Sequence, residues 1–204
     1  MARRPVYIVD DEEPIRRSAC LLLKISGFAA DAFGDGRTFI ESESSLDPGC
    51  VLLDVRMPEL DGIAVQRLLT EQQSSHATVI MTGHGDVTAA VAALDAGAVT
   101  FVEKPFSKTQ LVAAVELAFS KIERPEHYRA QLLAAHERVG SLADREQAVL
   151  SMLAQDLSSD QIAEALQLSS AEIDLSRALI LQQLEVESIP AALTIAFAAR
   201  RAQV

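Results

Sequence analysis

The chain has 204 residues, enough for two domains of ordinary size; 49% of them are hydrophobic, which supplies packed cores and excludes a disordered or fibrous chain. Lys and Arg number 18 against 29 Asp and Glu, a net charge of −11 that opposes non-specific attraction to nucleic acid or anionic lipid, so a polyanion partner would have to be recognised locally. Cys20 and Cys50 stand alone, without metal or redox spacing, and read as small buried hydrophobes of a reducing compartment.

MARRPVYIVD reaches DDEE after an apolar stretch far shorter than a signal peptide's, so no export is expected and the protein is placed in the cytoplasm. Over the first 120 residues short apolar runs alternate with amphipathic stretches, the pattern of a parallel sheet with helical crossovers. VYIVD (6–10) is the first strand; the helix after it has Pro14 near its start, Ile15, Ala19, Leu22 and Leu23 at helical spacing, and Gly27 as its stop. AADAF (29–33), CVLLD (50–54) and TVIMT (78–82) follow, the last two apolar enough to lie buried on both faces. Another helix takes Asp86 as its cap and Val87, Ala90, Val91 and Leu94 as one apolar face, and VTFVE (99–103) closes the series.

Pro125 suits the first turn of a new helix, and Tyr128, Leu132, Ala135 and Val139 share a stripe that ends at Gly140, so the connection reads as a helix rather than a flexible tether. Residues 141–204 hold no strand-like run. DREQAVLSMLAQ, SSDQIAEAL, SAEIDLSRALILQQL and IPAALTIAFAARRAQV predict short helices, the last being the longest apolar tract yet short of the roughly 20 residues a membrane helix needs. No membrane partner is expected. The division is therefore 1–121, a helical linker 122–140, and an all-helical domain 141–204.

Ligands of an open parallel sheet bind beyond the C-terminal ends of its strands. Those ends carry Asp10 and Asp11, Asp54, Thr82, and Lys104 before Pro105. Taken singly, each is an ordinary strand end or turn residue; at successive strand ends, in this order, they form a constellation. Crowded carboxylates repel one another unless a hard cation neutralises them, and oxygen ligands favour Mg²⁺. A carboxylate beside such an ion can attack phosphorus, while an ammonium and a hydroxyl balance the charge that develops on the transferred group, roles that fit Asp54, Lys104 and Thr82. His76, His84, His127 and His136 show no ligand spacing.

IVDDEEPIRRS, VLLDVRMPELDGI, VIMTGHGD and FVEKPF together resemble the receiver domain of two-component response regulators over residues 5–120. The resemblance implies a doubly wound five-stranded sheet of order 2-1-3-4-5, with Asp54 accepting phosphate from a sensor histidine kinase. It further implies that Asp11, Asp54 and the backbone carbonyl of Arg56 ligate Mg²⁺, with Asp10 helping through water. Thr82 and Phe101 match the family's switch pair, and the Lys104–Pro105 bond would be cis. Such a domain catalyses only its own phosphotransfer and dephosphorylation and is not otherwise an enzyme. A haloacid-dehalogenase-like phosphatase also uses an aspartate with Mg²⁺, but its marker is a second aspartate two positions on, where this chain has Arg56. Phosphorylation is expected to shift populations toward a form exposing a dimerisation face along Val87, Val91 and Leu94.

SLADREQAVLSMLAQDLSSDQIAEALQLSSAEIDLSRALILQQL resembles the LuxR-type helix-turn-helix domain, and the whole chain resembles FixJ-like regulators. Leu142, Arg145, Glu146, Val149, Leu150, Leu157, Ile162, Ala163, Leu166, Leu168, Ser169, Ile173 and Arg177 stand where the family has its scaffold. The DNA-facing positions depart from it. Asp156, Ser159 and Asp160 replace a small or glycine residue and an Asn-Lys pair, and the presumed recognition helix reads Ala171, Glu172, Ser176, Leu179 and Gln183, with Arg177 its one cation. From residue 141 on, nine acids face four bases, and lysine is absent. Affinity for DNA rests mainly on cations neutralising phosphates, so the output is expected to work through a protein partner or autoregulation. The alternative is the family's default, a DNA-binding transcriptional regulator activated by phospho-dependent dimerisation.

Overall fold

The computed structural model describes residues 4–83 and 87–202. Contacts divide the chain into two units, one ending at Pro125 and the other beginning at Glu126.

In the first unit five parallel strands, β1 (Pro5–Val9), β2 (Ala29–Phe33), β3 (Cys50–Asp54), β4 (Ala77–Thr82) and β5 (Thr100–Glu103), form one sheet of order β2-β1-β3-β4-β5. Five helices cross between and after them: α1 (Glu13–Lys24), α2 (Gly36–Glu43), α3 (Gly62–Glu71), α4 (Val87–Asp95) and α5 (Lys108–Glu123). The expected sheet order is the one observed. The winding reverses between β1 and β3, which opens the crevice at their carboxyl ends where ligands of such sheets bind. β1, β3 and β4 are buried along their whole lengths, because helices cover both faces of a parallel sheet. On one face Val9, Phe39, Leu53, Val65, Ile80 and Ala93 pack into a single core.

Arg4 fastens the start of β1 to α5. Its guanidinium pairs with Glu116 at 2.8 Å and Glu123 at 3.1 Å, and lies 4.3 Å from the centre of the Phe119 ring, which stacks on Phe28. Phe119, on the buried face of α5, supplies the apolar half of that anchor.

The dimerisation face expected to open on phosphorylation is turned inward on α4 at the two of its positions whose side chains are described. Val91 and Leu94 are buried, at 6% and 2% exposure, on the side the helix turns to the sheet. Thr88 and Asp95 are exposed instead and Ala92 half-buried; the cap Asp86 and His84 lie outside the described residues, as does the side chain of Val87.

The second unit is helical: α6 (Pro125–Gly140), α7 (Asp144–Leu153), α8 (Ser159–Leu166), α9 (Ser170–Gln183) and α10 (Ile189–Arg201). Pro125 opens α6 and Ala135 is its buried position, with Tyr128, Leu132 and Val139 half-buried along the expected stripe. Ser158 and Ser169 start α8 and α9 with reciprocal capping boxes to Gln161 and Glu172. Val149, Leu150, Ile162, Ile173, Ile180, Leu193 and Phe197 are buried in this unit. Among the described residues no helix is long and apolar enough to cross a membrane.

Candidate functional site

The carboxyl ends of β1 and β3 bring Asp10, Asp11 and Asp54 together, with one oxygen of each within 4.8 Å of the others. Asp10 is fully buried, Asp54 is 6% exposed, and Asp11 faces solvent. Asp54 ends β3 beside Met81 of β4, and the loop after it folds back tightly: Gly62 donates its N–H to Val55 O, and a Cβ at Gly62 would sit 2.0 Å from Asp54 O. Only glycine allows α3 to start that close to the acid. Asp61 caps α3 by accepting from the Ala64 N–H at 2.8 Å, so the DG pair after the proline loop is both the helix cap and the close approach.

Lys104 enters from the other side. It follows β5, its N–H donates to Thr82 O, and its bond to Pro105 is cis. Its side chain passes over the ends of β3 and β4 to place Nζ 2.7 Å from Asp54 Oδ1 and 2.7 Å from Asp10 Oδ2. Burial pushes the Asp54 carboxyl up, more than the Lys104 hydrogen bond and charge pull it down, and Asp10 and Asp11 push the same way. Burial pulls the ammonium down, but its hydrogen bonds to Asp10 and Asp54, with their charges, outweigh it and hold Lys104 above its ordinary value. One cation therefore balances three acids only in part. Asp10 Oδ2 is buried, with the Lys104 ammonium against it at 2.7 Å. Three carboxylates converging within 4.8 Å offer the hard oxygen donors that fit a small divalent cation.

Thr82 ends β4, is 1% exposed, and donates Oγ1 to Gly83 O at 3.0 Å. Phe101 pairs with Ile80 in the sheet register and packs half-buried against the core. Arg56 is exposed in the loop after β3. Sequence reasoning missed Arg16, whose Nη1 donates to both Asp10 O at 2.7 Å and Asp11 O at 2.8 Å; an arginine in the first turns of a helix carries no signal of such a contact.

The helical unit corrects the expected DNA-facing surface. Ser176 is fully buried and donates to buried Glu146 at 3.1 Å, because it lies one turn from both Ile173 and Ile180 on the inner face of α9. Glu172 is spent on the Ser169 cap, and Arg177 is half-buried, donating to Ser159 Oγ at 2.9 Å, so it braces α9 on α8 rather than standing on the outward stripe. That stripe is Ala171, Asp174, Leu175, Ala178 and Gln182, all exposed, with one acid and no base.

A sheet of this order, with an acid nest at its switch point and a lysine reaching over it, has the architecture of a receiver, and a small helical unit follows it in the chain. Residues 6–116 match the family described as "Response regulator receiver domain", and residues 140–196 match "Bacterial regulatory proteins, luxR family". The chain belongs to the two-component response regulators that carry a LuxR-type helix-turn-helix domain. It is 38% identical over 184 residues to the transcriptional regulatory protein FixJ of Bradyrhizobium diazoefficiens, covering 90% of each chain. It is 33% identical to the response regulator protein TmoT of Ectopseudomonas mendocina, covering 90% of this chain and 84% of that one. The crystal structure of full-length FixJ from B. japonicum matches with a TM-score of 0.59 at 36% identity, covering 98% of this chain and 99% of that chain.

Proposed function

We propose that Asp54 is the phosphoacceptor of this response regulator and that the acid nest holds Mg²⁺ through Asp11, Asp54 and the Arg56 carbonyl, with Asp10 acting through water. The observation that carries the reading is the arrangement of Asp10, Asp11 and Asp54 around an ammonium that neutralises them only in part. The bound ion would offset the negative charge of acid and phosphoryl oxygens during transfer. An Asp54 oxygen forms the bond to phosphorus as the P–N bond of a sensor kinase's phosphohistidine breaks, the electron pair staying on the histidine ring nitrogen that leaves. Lys104, already 2.7 Å from Asp54, is placed to follow the new charge, and Thr82 can exchange its bond to Gly83 O for one to a phosphoryl oxygen. That exchange, with Phe101 filling the space Thr82 leaves, is the switch. The protein works in the cytoplasm as a signalling component rather than as an enzyme acting on other substrates.

Mass spectrometry after incubation with an acyl phosphate donor and Mg²⁺ tests this: one phosphoryl group on the native chain and none on Asp54→Asn is the expected result. No uptake by the native chain, beside a receiver that labels normally, ends it.

For the output we propose a protein contact rather than the family's DNA contact. The outward stripe of α9 presents Leu175, 53% exposed, beside Asp174, and its neighbouring cation is engaged with Ser159. A helix without cations at its outward face gains little from phosphates. The relatives named as transcriptional regulators favour the other reading, regulation through DNA, and a gel-shift series at low salt with phosphorylated protein separates them: sequence-selective binding ends the protein-contact reading.

A further inference from the structure

We infer that Arg16 is a positioning residue for the acid nest, setting the backbone turn that lets two consecutive aspartates serve one site. In an extended strand, successive carbonyls and successive side chains point to opposite sides. Asp10 follows β1 directly, so continued strand geometry would send Asp11 away from the pocket that Asp10 enters. Instead the carbonyls of Asp10 and Asp11 converge on a single nitrogen, Arg16 Nη1, at 2.7 and 2.8 Å. Both peptide planes are thereby rotated toward α1, and both carboxylates fall within 4.8 Å of the Asp54 carboxylate.

A second bond locks the same turn from inside, the Glu12 N–H donating to Asp10 Oδ1 at 2.8 Å. It occupies one oxygen of Asp10 and leaves Oδ2 to face Lys104 at 2.7 Å. The guanidinium lies over Gly34, in the loop after β2, where a Cβ would come within 3.9 Å of it. Arg17, one residue on, pairs with Glu13 on the exposed side of the helix and takes no part. Arg16 thus acts on the site through the main chain, as the outer partners of metal ligands do when they fix ligand orientation.

The inference rests on the Mg²⁺ reading above, and the native protein is the arm that separates the two. Calorimetric titration of the full chain with MgCl₂, and the Glu12 amide shift in a parallel NMR titration, read the affinity directly; thermal melts without metal read stability. Arg16→Met keeps the aliphatic stem and removes both donors, and is expected to weaken Mg²⁺ by about ten-fold, the lower end of the range for lost outer partners of metal ligands. Arg16→Lys, a compact ammonium that can reach the carbonyls less squarely, should recover most of that loss, and Arg17→Met should match the native chain. Native-like affinity in Arg16→Met overturns the inference, as does an equal loss in the methionine and lysine variants that tracks a lowered melting temperature. Should Arg16→Met not fold, Arg16→Lys and the donor-less Arg16→Ala carry the comparison, and native affinity in Arg16→Ala is the overturning result. A native chain that binds no Mg²⁺ defeats the site reading itself.

Discussion

Lys104 Nζ stands 2.7 Å from Asp54 Oδ1, although β4 lies between their strands in the sheet, and the same ammonium is 2.7 Å from Asp10 Oδ2. It is a counter-charge built into the nest, in the place where a divalent ion would neutralise the same acids. Lys104→Met should therefore bind Mg²⁺ about ten-fold more tightly, a fraction of the ~4 kcal/mol that two unit charges exchange at 4 Å and an effective dielectric of about 20. The same variant should take up phosphoryl groups more slowly. Calorimetry and the rate of labelling measure the two opposed effects on one protein.

Gly62 touches the site through shape alone. An alanine there would drive its Cβ to 2.0 Å from Asp54 O, and β3 or α3 would have to move. Gly62→Ala is expected to cost about 3 kcal/mol, the upper range for overpacking, and to slow labelling of Asp54. Urea unfolding followed through amides of the first unit checks the first figure.

His76, 8% exposed, accepts the Gly49 N–H through Nδ1 at 3.1 Å. Burial lowers its pKa from 6.5, more than Gly49 and Glu43 raise it. Between the unfolded value near 6.5 and the lower folded one, acidification protonates the unfolded chain and not the folded one. Stability of the first unit should thus fall as pH drops below about 6.5 and level off beneath the folded pKa. His76→Asn, which keeps an acceptor for Gly49, should flatten that part of the curve in urea melts at pH 7.5 and 5.5.

Three helices of the second unit end in the left-handed region without glycine: Asp156 has φ 62°, Gln167 56° and Glu185 49°. Each follows a 6→1 type closure, such as Leu168 N to Ala163 O at 2.9 Å, a motif that usually places glycine there. Gln167→Gly should stabilise the domain by about 0.5–1 kcal/mol, relief of left-handed strain exceeding the extra entropy of the unfolded chain. Hydrogen exchange of α8 and α9 amides reads the gain.

If the helical scaffold is intact and only its outward charges oppose DNA, Ala171→Lys with Asp174→Lys should restore non-specific binding. The salt dependence should steepen by about two units, one per phosphate neutralised. Fluorescence anisotropy across a salt series measures that slope.

Strand runs could be read from composition, since CVLLD and TVIMT had to be buried on both sides and only a covered parallel sheet does that. The acids at the strand ends could be read because their chemistry needs each residue type in that order. Ser176 could not: its neighbours Ile173 and Ile180 reveal the inner face only once the helix phase is fixed against α7. The helix ends at Gln167 and Glu185 were equally hidden, because the usual glycine is missing from both.

The order of elements was decided by the chain itself, through periodicity and turn signals that act over a few residues, and the residue types at the strand ends came with it. Which face of α4 meets the sheet, the reach of Lys104 to two acids, and the grip of Arg16 on two carbonyls were decided by the tertiary structure. Those contacts join residues on separate elements, and their energies depend on distances that exist only after the sheet has closed around its core.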